Sequence, residues 1–207
     1  MKTTLLIPLL TCVAVSVACT RSFAEEVKVG SEAPAFTLKD TSGKTHSLAD
    51  YKGKFVVLEW FNEGCPFVKK HYTSGNMQKL QKEYTGKDVV WLSINSSAPG
   101  EQGHVTSETA PKTIADWKMD STRILLDHDG KVGKTYGAKT TPHMFVIDKT
   151  GKLVYQGAID SKPSANTADI DGAENYVKVA LENSMNGKPV PTTSTKPYGC
   201  SVKYKGG

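Results

Sequence analysis

Cys65 is the residue whose neighbours best fit it for chemistry. It follows the run Phe55-Val56-Val57-Leu58-Glu59-Trp60-Phe61 and the turn Asn62-Glu63-Gly64, and it directly precedes Pro66. The run has the β-branched and aromatic content of a strand buried on both faces. Proline is favoured at the first position of a helix. A thiol between the two faces the unpaired amides of the first helical turn and the positive end of the helix dipole. Cysteines so placed fall from a pKa near ~8.5 into roughly the 3.5–7.5 range, which makes the thiolate a major species at neutral pH. The competing reading is an inert buried cysteine. Asn62 stands where its amide could hydrogen-bond the thiolate, and Glu63 is positioned either to raise the thiol's pKa or to cap the turn.

A second constellation is Thr140-Thr141-Pro142-His143-Met144-Phe145-Val146-Ile147-Asp148. A proline just before a strand is often only a strand-start residue. With a hairpin downstream and a Cys-Pro helix upstream, a cis Thr141–Pro142 bond is expected here. That geometry would set His143 beside Cys65. With His71 and Met144 they would offer soft ligands for copper, yet no CxxC or CxxxC spacing supports a tight site. No cofactor and no bound metal are expected.

The elements that must position these residues follow from the chain's punctuation. Residues 1–24 read as a secretory signal peptide: basic Lys2, an apolar run from Leu5 to Ala18, and Ser22-Phe23-Ala24 at the cleavage site. Pro8, Thr11 and Ser16 interrupt the run, which falls short of the ~20 apolar residues of a membrane span. Ser16 also stands where a lipobox prefers Leu, which argues against lipidation at Cys19. Removal would discard Cys12 and Cys19, leave Cys65 and Cys200, and lower the formal charge from +5 to +3. A periplasmic or secreted location follows, where disulfides persist. The scattered basic residues make no nucleic-acid motif, and Lys69-Lys70-His71 reads as a solvated helix face.

Residues 25–190 read as one domain and 191–207 as an extended tail rich in Pro, Thr, Ser, Lys and Gly. Strands are expected over 35–38, 44–48, 55–61, 89–94, 124–126, 144–148 and 153–158. Helices are expected from Phe67 to about Tyr84 with a break at Gly75, over 112–119, ending near Gly137, and over 172–186 with Asp171 as N-cap. Residues 96–112 read as a long loop. The order gives an α/β fold: a mixed central sheet flanked by helices, with an N-terminal β-hairpin.

The segments 29–38, 48–54, Cys65-Pro66-Phe67-Val68, Thr141-Pro142 and the tail Lys196-Pro197-Tyr198-Gly199-Cys200-Ser201-Val202 together resemble the thioredoxin-fold redoxin superfamily, which includes peroxiredoxins and thioredoxins. The tail further resembles that of a peroxiredoxin-like subfamily. The resemblance implies a thioredoxin-like fold, Cys65 as the reactive cysteine, and Pro142 as the cis-proline that shapes the groove for a partner's backbone. Departures matter as much. The second cysteine of a thioredoxin is replaced by Val68, and the Pro and Thr that precede a peroxiredoxin's cysteine are Leu58 and Asn62. The peroxide-stabilising arginine is missing near Pro142-His143, so peroxide cleavage lacks a donor for the departing oxygen.

The function expected is therefore an exported thiol–disulfide oxidoreductase or weak thiol peroxidase. Cys65 is its nucleophile, and Asn62, Pro66, Thr141, Pro142 and His143 are candidate substrate-binding residues. A peroxide or a protein disulfide would be the substrate, and an unknown thiol the reductant. Cys200 is the internal candidate to resolve the intermediate; it could equally be a structural tether or pair with another chain. A copper-binding protein and a redox-inactive binding module that keeps only the fold remain alternatives.

Overall fold

The computed structural model describes residues 27–206. The expected leader, with Cys12 and Cys19, lies outside the described residues. Among those described, no helix is long and apolar enough to cross a membrane.

The strands are β1 (Thr37–Asp40), β2 (Thr45–Ser47), β3 (Val56–Trp60), β4 (Val90–Asn95), β5 (Arg123–Leu126), β6 (Thr140–Thr141), β7 (His143–Ile147), β8 (Leu153–Gly157) and β9 (Cys200–Ser201). The helices are α1 (Pro66–Thr73), α2 (Asn76–Thr85), α3 (Ala110–Trp117), α4 (Lys131–Tyr136) and α5 (Tyr176–Met185). Seven strands form one mixed sheet in the order β2-β1-β5-β4-β3-β7-β8. Parallel β3, β4 and β5 form its centre, and antiparallel β7 and β8 extend it on one side. The N-terminal hairpin β1–β2 extends it on the other, through β5. This is a thioredoxin-like α/β fold.

Alternation along the central strands builds two cores. Val57, Phe61, Trp91, Met144 and Val146 face a layer made by α1, α2 and α5, with Val68, Tyr72, Met77, Leu80, Val177 and Leu181. Val56, Leu58, Trp60, Leu92, Ile94 and Phe145 face Tyr136, Phe36 and Val202 of the tail. Trp60 is fully buried there, with ring centroids 5.2 Å from Phe145 and 5.5 Å from Tyr136.

The helix expected over 67–84 does break at Gly75, whose φ of +78° ends α1 and starts α2. Two expectations need correction. The last helix begins at Tyr176 and is capped by Asn175, whose side chain accepts from the Lys178 N–H; residues 172–175 stay outside it. The tail is extended, but it is also docked. Thr195 N–H donates to Gln156 O, Gln156 N–H donates to Thr193 O, Val202 N–H donates to Lys139 O, and Tyr204 hydroxyl donates to Ala138 O. Composition misses this because the few tail side chains that bind, Thr195, Tyr198, Val202 and Tyr204, are spread among turn-forming residues.

Candidate functional site

Strand β3 delivers the chain to one end of the sheet, and the turn 62–64 reverses it into α1. Cys65 is the N-cap of α1, with extended backbone (φ −80°, ψ 123°) and Pro66 at the first helical position. Among the described residues no side chain caps this helix end, so its free amides face the sulfur. Opposite stands the loop before β7. The Thr141–Pro142 bond is cis, as expected, and Cys65 Sγ lies 3.1 Å from the Thr141 carbonyl oxygen. The Thr141 hydroxyl is buried.

The tail closes the site. β9 pairs antiparallel with β6, with Thr141 opposite Cys200 and Thr140 opposite Ser201. Both cysteines are free thiols, Cys65 wholly buried and Cys200 partly exposed. Gly199 makes this approach possible: a Cβ there would sit 2.0 Å from Thr141 O, and its φ is +135°.

The electrostatics of the two sulfurs differ. Burial pushes the Cys65 thiol up, but hydrogen bonds from the Cys200 thiol, the Cys200 backbone N–H and the Val68 backbone N–H outweigh it, so the pKa lies below its ordinary value. Burial raises the Cys200 thiol to about 11, helped by its hydrogen bond to Cys65 and by the charge there. Cys65 is thus the first of the pair to ionise.

Other expected site residues are placed differently. Asn62 does not face the sulfur. Its Nδ2 donates to Gln102 O at 2.8 Å and its Oδ1 accepts from Gly64 N–H at 2.8 Å, so the amide holds the turn together. Pro66 is exposed at the start of α1, and Pro142 is buried beside Thr141. His143 is on the other side of the sheet from Cys65. It pairs with Trp60 across the strands, its ring lies tilted against Phe145 with centroids 4.5 Å apart, and its Nδ1 accepts from Lys139 N–H. The period of two puts residue 143 on the opposite face from residue 144, which packs in the helix-side core. Among the described residues no three His, Cys, Asp or Glu side chains are grouped to hold a metal ion.

Lys70 and His71 are buried, not solvated. Lys70 Nζ donates to Lys162 O at 2.9 Å and lies 3.4 Å from Asp160 Oδ2. Tyr198 hydroxyl donates to Asp160 Oδ1 at 2.5 Å and lies 3.3 Å from His71 Nε2. Tyr72 donates its hydroxyl to Glu59, a wholly buried carboxyl on β3. The sequence signals these positions weakly: Glu59 was visible only as a charge inside an apolar run, and Asp160 and Tyr198 only as polar residues in loops.

Burial holds His143 neutral, with its pKa lowered to about 3 and the Lys139 charge assisting. Burial also lowers His71 to about 4, against the pull of Asp160. A base depressed in the folded state takes up its proton only on unfolding, so stability present at pH 7 is lost as pH falls below ~6.5 toward these values. Between pH 6 and 4.5 each of these histidines is expected to lower the unfolding free energy by about 1.4 kcal/mol per pH unit, partly offset by the buried carboxyls of Glu59 and Asp127, whose pKa values burial raises. His143→Gln is expected to remove one of the two histidine contributions in urea titrations; a pH slope unchanged from wild type would contradict the assignment.

The family profile described as Redoxin matches residues 28–175, ending before the tail. Thiol-disulfide oxidoreductase ResA of Geobacillus kaustophilus is 30% identical over 155 residues, which cover 74% of this chain and 83% of the relative. A solved structure of an uncharacterized conserved protein from the same species superposes with a TM-score of 0.76 at 29% identity, covering 87% of this chain and 94% of that one. A putative thiol:disulfide interchange protein DsbE from Chlorobium tepidum superposes with a TM-score of 0.51 at 25% identity, covering 63% and 85%. With the matched profile spanning most of the chain, this chain belongs to the Redoxin family.

Proposed function

We propose that the chain is a thiol–disulfide oxidoreductase whose redox pair is Cys65 and Cys200. The observation that carries this reading is the register of β9, which sets Cys200 opposite Thr141, the residue whose carbonyl touches Cys65 Sγ. The thioredoxin arrangement of two cysteines on one helix turn is absent, since the position three after Cys65 is Val68. The tail supplies the second sulfur from the opposite side of the site.

The electrostatics order the steps. Cys65, the more acidic thiol, attacks a substrate disulfide; one substrate sulfur leaves as a thiolate and a mixed disulfide forms. Cys65 is then uncharged. The hydrogen bond and the charge that helped hold the Cys200 proton are gone. Cys200 loses its proton, attacks Cys65 Sγ, and expels the second substrate thiolate. The substrate gains two electrons and the protein ends as the Cys65–Cys200 disulfide. An external thiol reductant resets the pair, and the same steps reversed would oxidise a substrate dithiol.

A protein disulfide fits better than a peroxide. Asn62 is committed to its turn, which leaves only helix amides and the neutral Thr141 hydroxyl as donors for a departing hydroxide. Peroxidase activity is at most a slow side reaction, and kinship with the peroxiredoxin-like subfamily rests on the tail motif. The reading includes export: residues 1–24 act as a leader, and the mature domain and its tail work where disulfides form.

Mass spectrometry of the intact protein tests the pair. Mild oxidation by a small disulfide is expected to convert the mature chain to a species lacking two hydrogens, with both thiols lost to alkylation and a Cys65–Cys200 crosslink after digestion. Two alkylatable thiols after that treatment would overturn the reading.

A further inference from the structure

Nothing in the exchange chemistry requires a buried lysine, histidine and aspartate beneath the tail, yet the structure builds one such group. Lys70 and His71 lie on α1, in the second turn after Cys65, with side chains wholly shielded from solvent. Asp160 follows β8 and is 3% exposed. Burying these groups is costly unless each is partnered. Lys70 meets Asp160 Oδ2 and Lys162 O; Asp160 Oδ1 also accepts from Lys162 N–H at 2.9 Å. Asn76 donates to His71 Nδ1 at 2.8 Å, which leaves the ring proton on Nε2.

The remaining partner for both Asp160 and His71 comes from the tail. Tyr198 hydroxyl donates to Asp160 Oδ1 and receives His71 Nε2–H. Its ring meets Phe67 edge-on at 5.9 Å between centroids, with Lys70 Nζ 5.7 Å from the ring centre. Tyr198 precedes Cys200 by only Gly199, and Gly199 lies against Thr141 O. The chain between socket and sulfur therefore has almost no slack.

We infer that Tyr198 is a positioning residue for the resolving step: its hydroxyl, seated in the Lys70–His71–Asp160 socket, holds Cys200 against Cys65. This rests on the proposed redox pair. The step it serves breaks the bond between Cys65 and the substrate sulfur, forms the Cys65–Cys200 bond, and passes the Cys200 proton to the departing substrate thiolate. A tethered thiol gains rate and equilibrium advantage through its effective concentration, which an anchor two residues away raises. The socket also ties that anchor to the helix that Cys65 begins.

The test compares wild type, Y198F and G199A in glutathione buffers, with glutathione disulfide as oxidant. Y198F keeps the ring on Phe67 and removes only the hydroxyl. It is expected to lower the equilibrium constant for the Cys65–Cys200 disulfide by about tenfold, the scale of a lost hydrogen bond to a charged group. The release of glutathione from the Cys65 mixed disulfide is expected to slow by a similar factor. Iodoacetamide labelling of Cys65 in unfolded protein should stay the same in all three. G199A leaves Tyr198 in place but forces β9 off Thr141, so it should lower the same two quantities and shows that the assay senses tail position. A fall in G199A with no change in Y198F would overturn the inference, because strand pairing alone would then place Cys200. Absence of a Cys65–Cys200 disulfide in wild type at any buffer ratio would instead overturn the redox pair itself.

Discussion

Replacing Cys65 by serine is expected to reduce disulfide exchange by at least ~1,000-fold, because a serine hydroxyl is far from ionising at neutral pH and has no adjacent base to activate it. Replacing Cys200 by alanine should give a different failure. The first step survives, so a protein disulfide such as insulin's should leave a mixed disulfide on Cys65, visible as an adduct on a non-reducing gel and absent after reduction. Turnover should stop there. The pH profile supplies an independent check. Two of the hydrogen bonds that lower the Cys65 thiol come from Cys200, one from its sulfur and one from its backbone. Cys200→Ala deletes the first. The midpoint of Cys65 alkylation against pH is therefore expected to move upward in this variant, while Cys200→Ser, which keeps a hydroxyl donor, should move it less. Full turnover by the alanine variant would show that an outside thiol resolves the intermediate and that Cys200 is a tether.

Legibility of the site in the sequence followed the range of the interactions. The buried strand, the Cys-Pro helix start and the break at Gly75 are local, fixed by residues within a few positions of one another, and the structure has them where the residue types put them. The cis Thr141–Pro142 bond was read from a strand and a helix that meet only in space, and the structure has that as well. The face of a side chain was harder. His143 follows Pro142 directly, and closeness along the chain suggested closeness to Cys65. Strand parity decides otherwise, sending His143 to the side of Trp60 and Phe145. Asn62 failed in a similar way: a polar residue near a thiol looks like its partner until the turn it sits in claims its amide. Least legible was the socket under the tail. Lys70 and His71 look solvated until a tyrosine 127 positions beyond His71 covers them. Composition marked residues 191–207 as unpacked because it counts turn formers, whereas docking here depends on four side chains and a few backbone bonds.

Loss of the Glu59 carboxyl is expected to be among the most destabilising single changes in this protein. Glu59 is wholly buried on the helix-facing side of β3. Its Oε1 accepts from Tyr72 hydroxyl at 2.8 Å, and its Oε2 accepts from Trp91 Nε1 at 2.8 Å, Gln81 Nε2 at 3.1 Å and Ser93 Oγ at 3.1 Å. These donors come from α1, α2 and β4, so one carboxyl joins the central strands to the helix that carries Cys65 at its cap. Glu59→Leu preserves volume approximately but strips an acceptor from four buried donors. The two able to pair with each other, Tyr72 and Gln81, recover part of the loss. The indole and the serine hydroxyl do not, and at ~1–3 kcal/mol for each stranded group the expected cost is about 3–5 kcal/mol. Glu59→Gln keeps one acceptor oxygen and lets the hydroxyls turn, so about half that cost is expected. Burial raises the Glu59 pKa, with its four donors opposing the shift. A carboxyl raised in the folded state contributes stability that is complete below its unfolded pKa of ~4.3 and is lost as pH climbs toward the folded value. The gap between wild type and Glu59→Gln should accordingly narrow as pH rises above about 5, the reverse of the histidine effect. Urea midpoints for the three proteins across that range measure both quantities. A leucine variant within about 1 kcal/mol of wild type would mean that the donors find water or one another, and that Glu59 does not clamp α1 to the sheet.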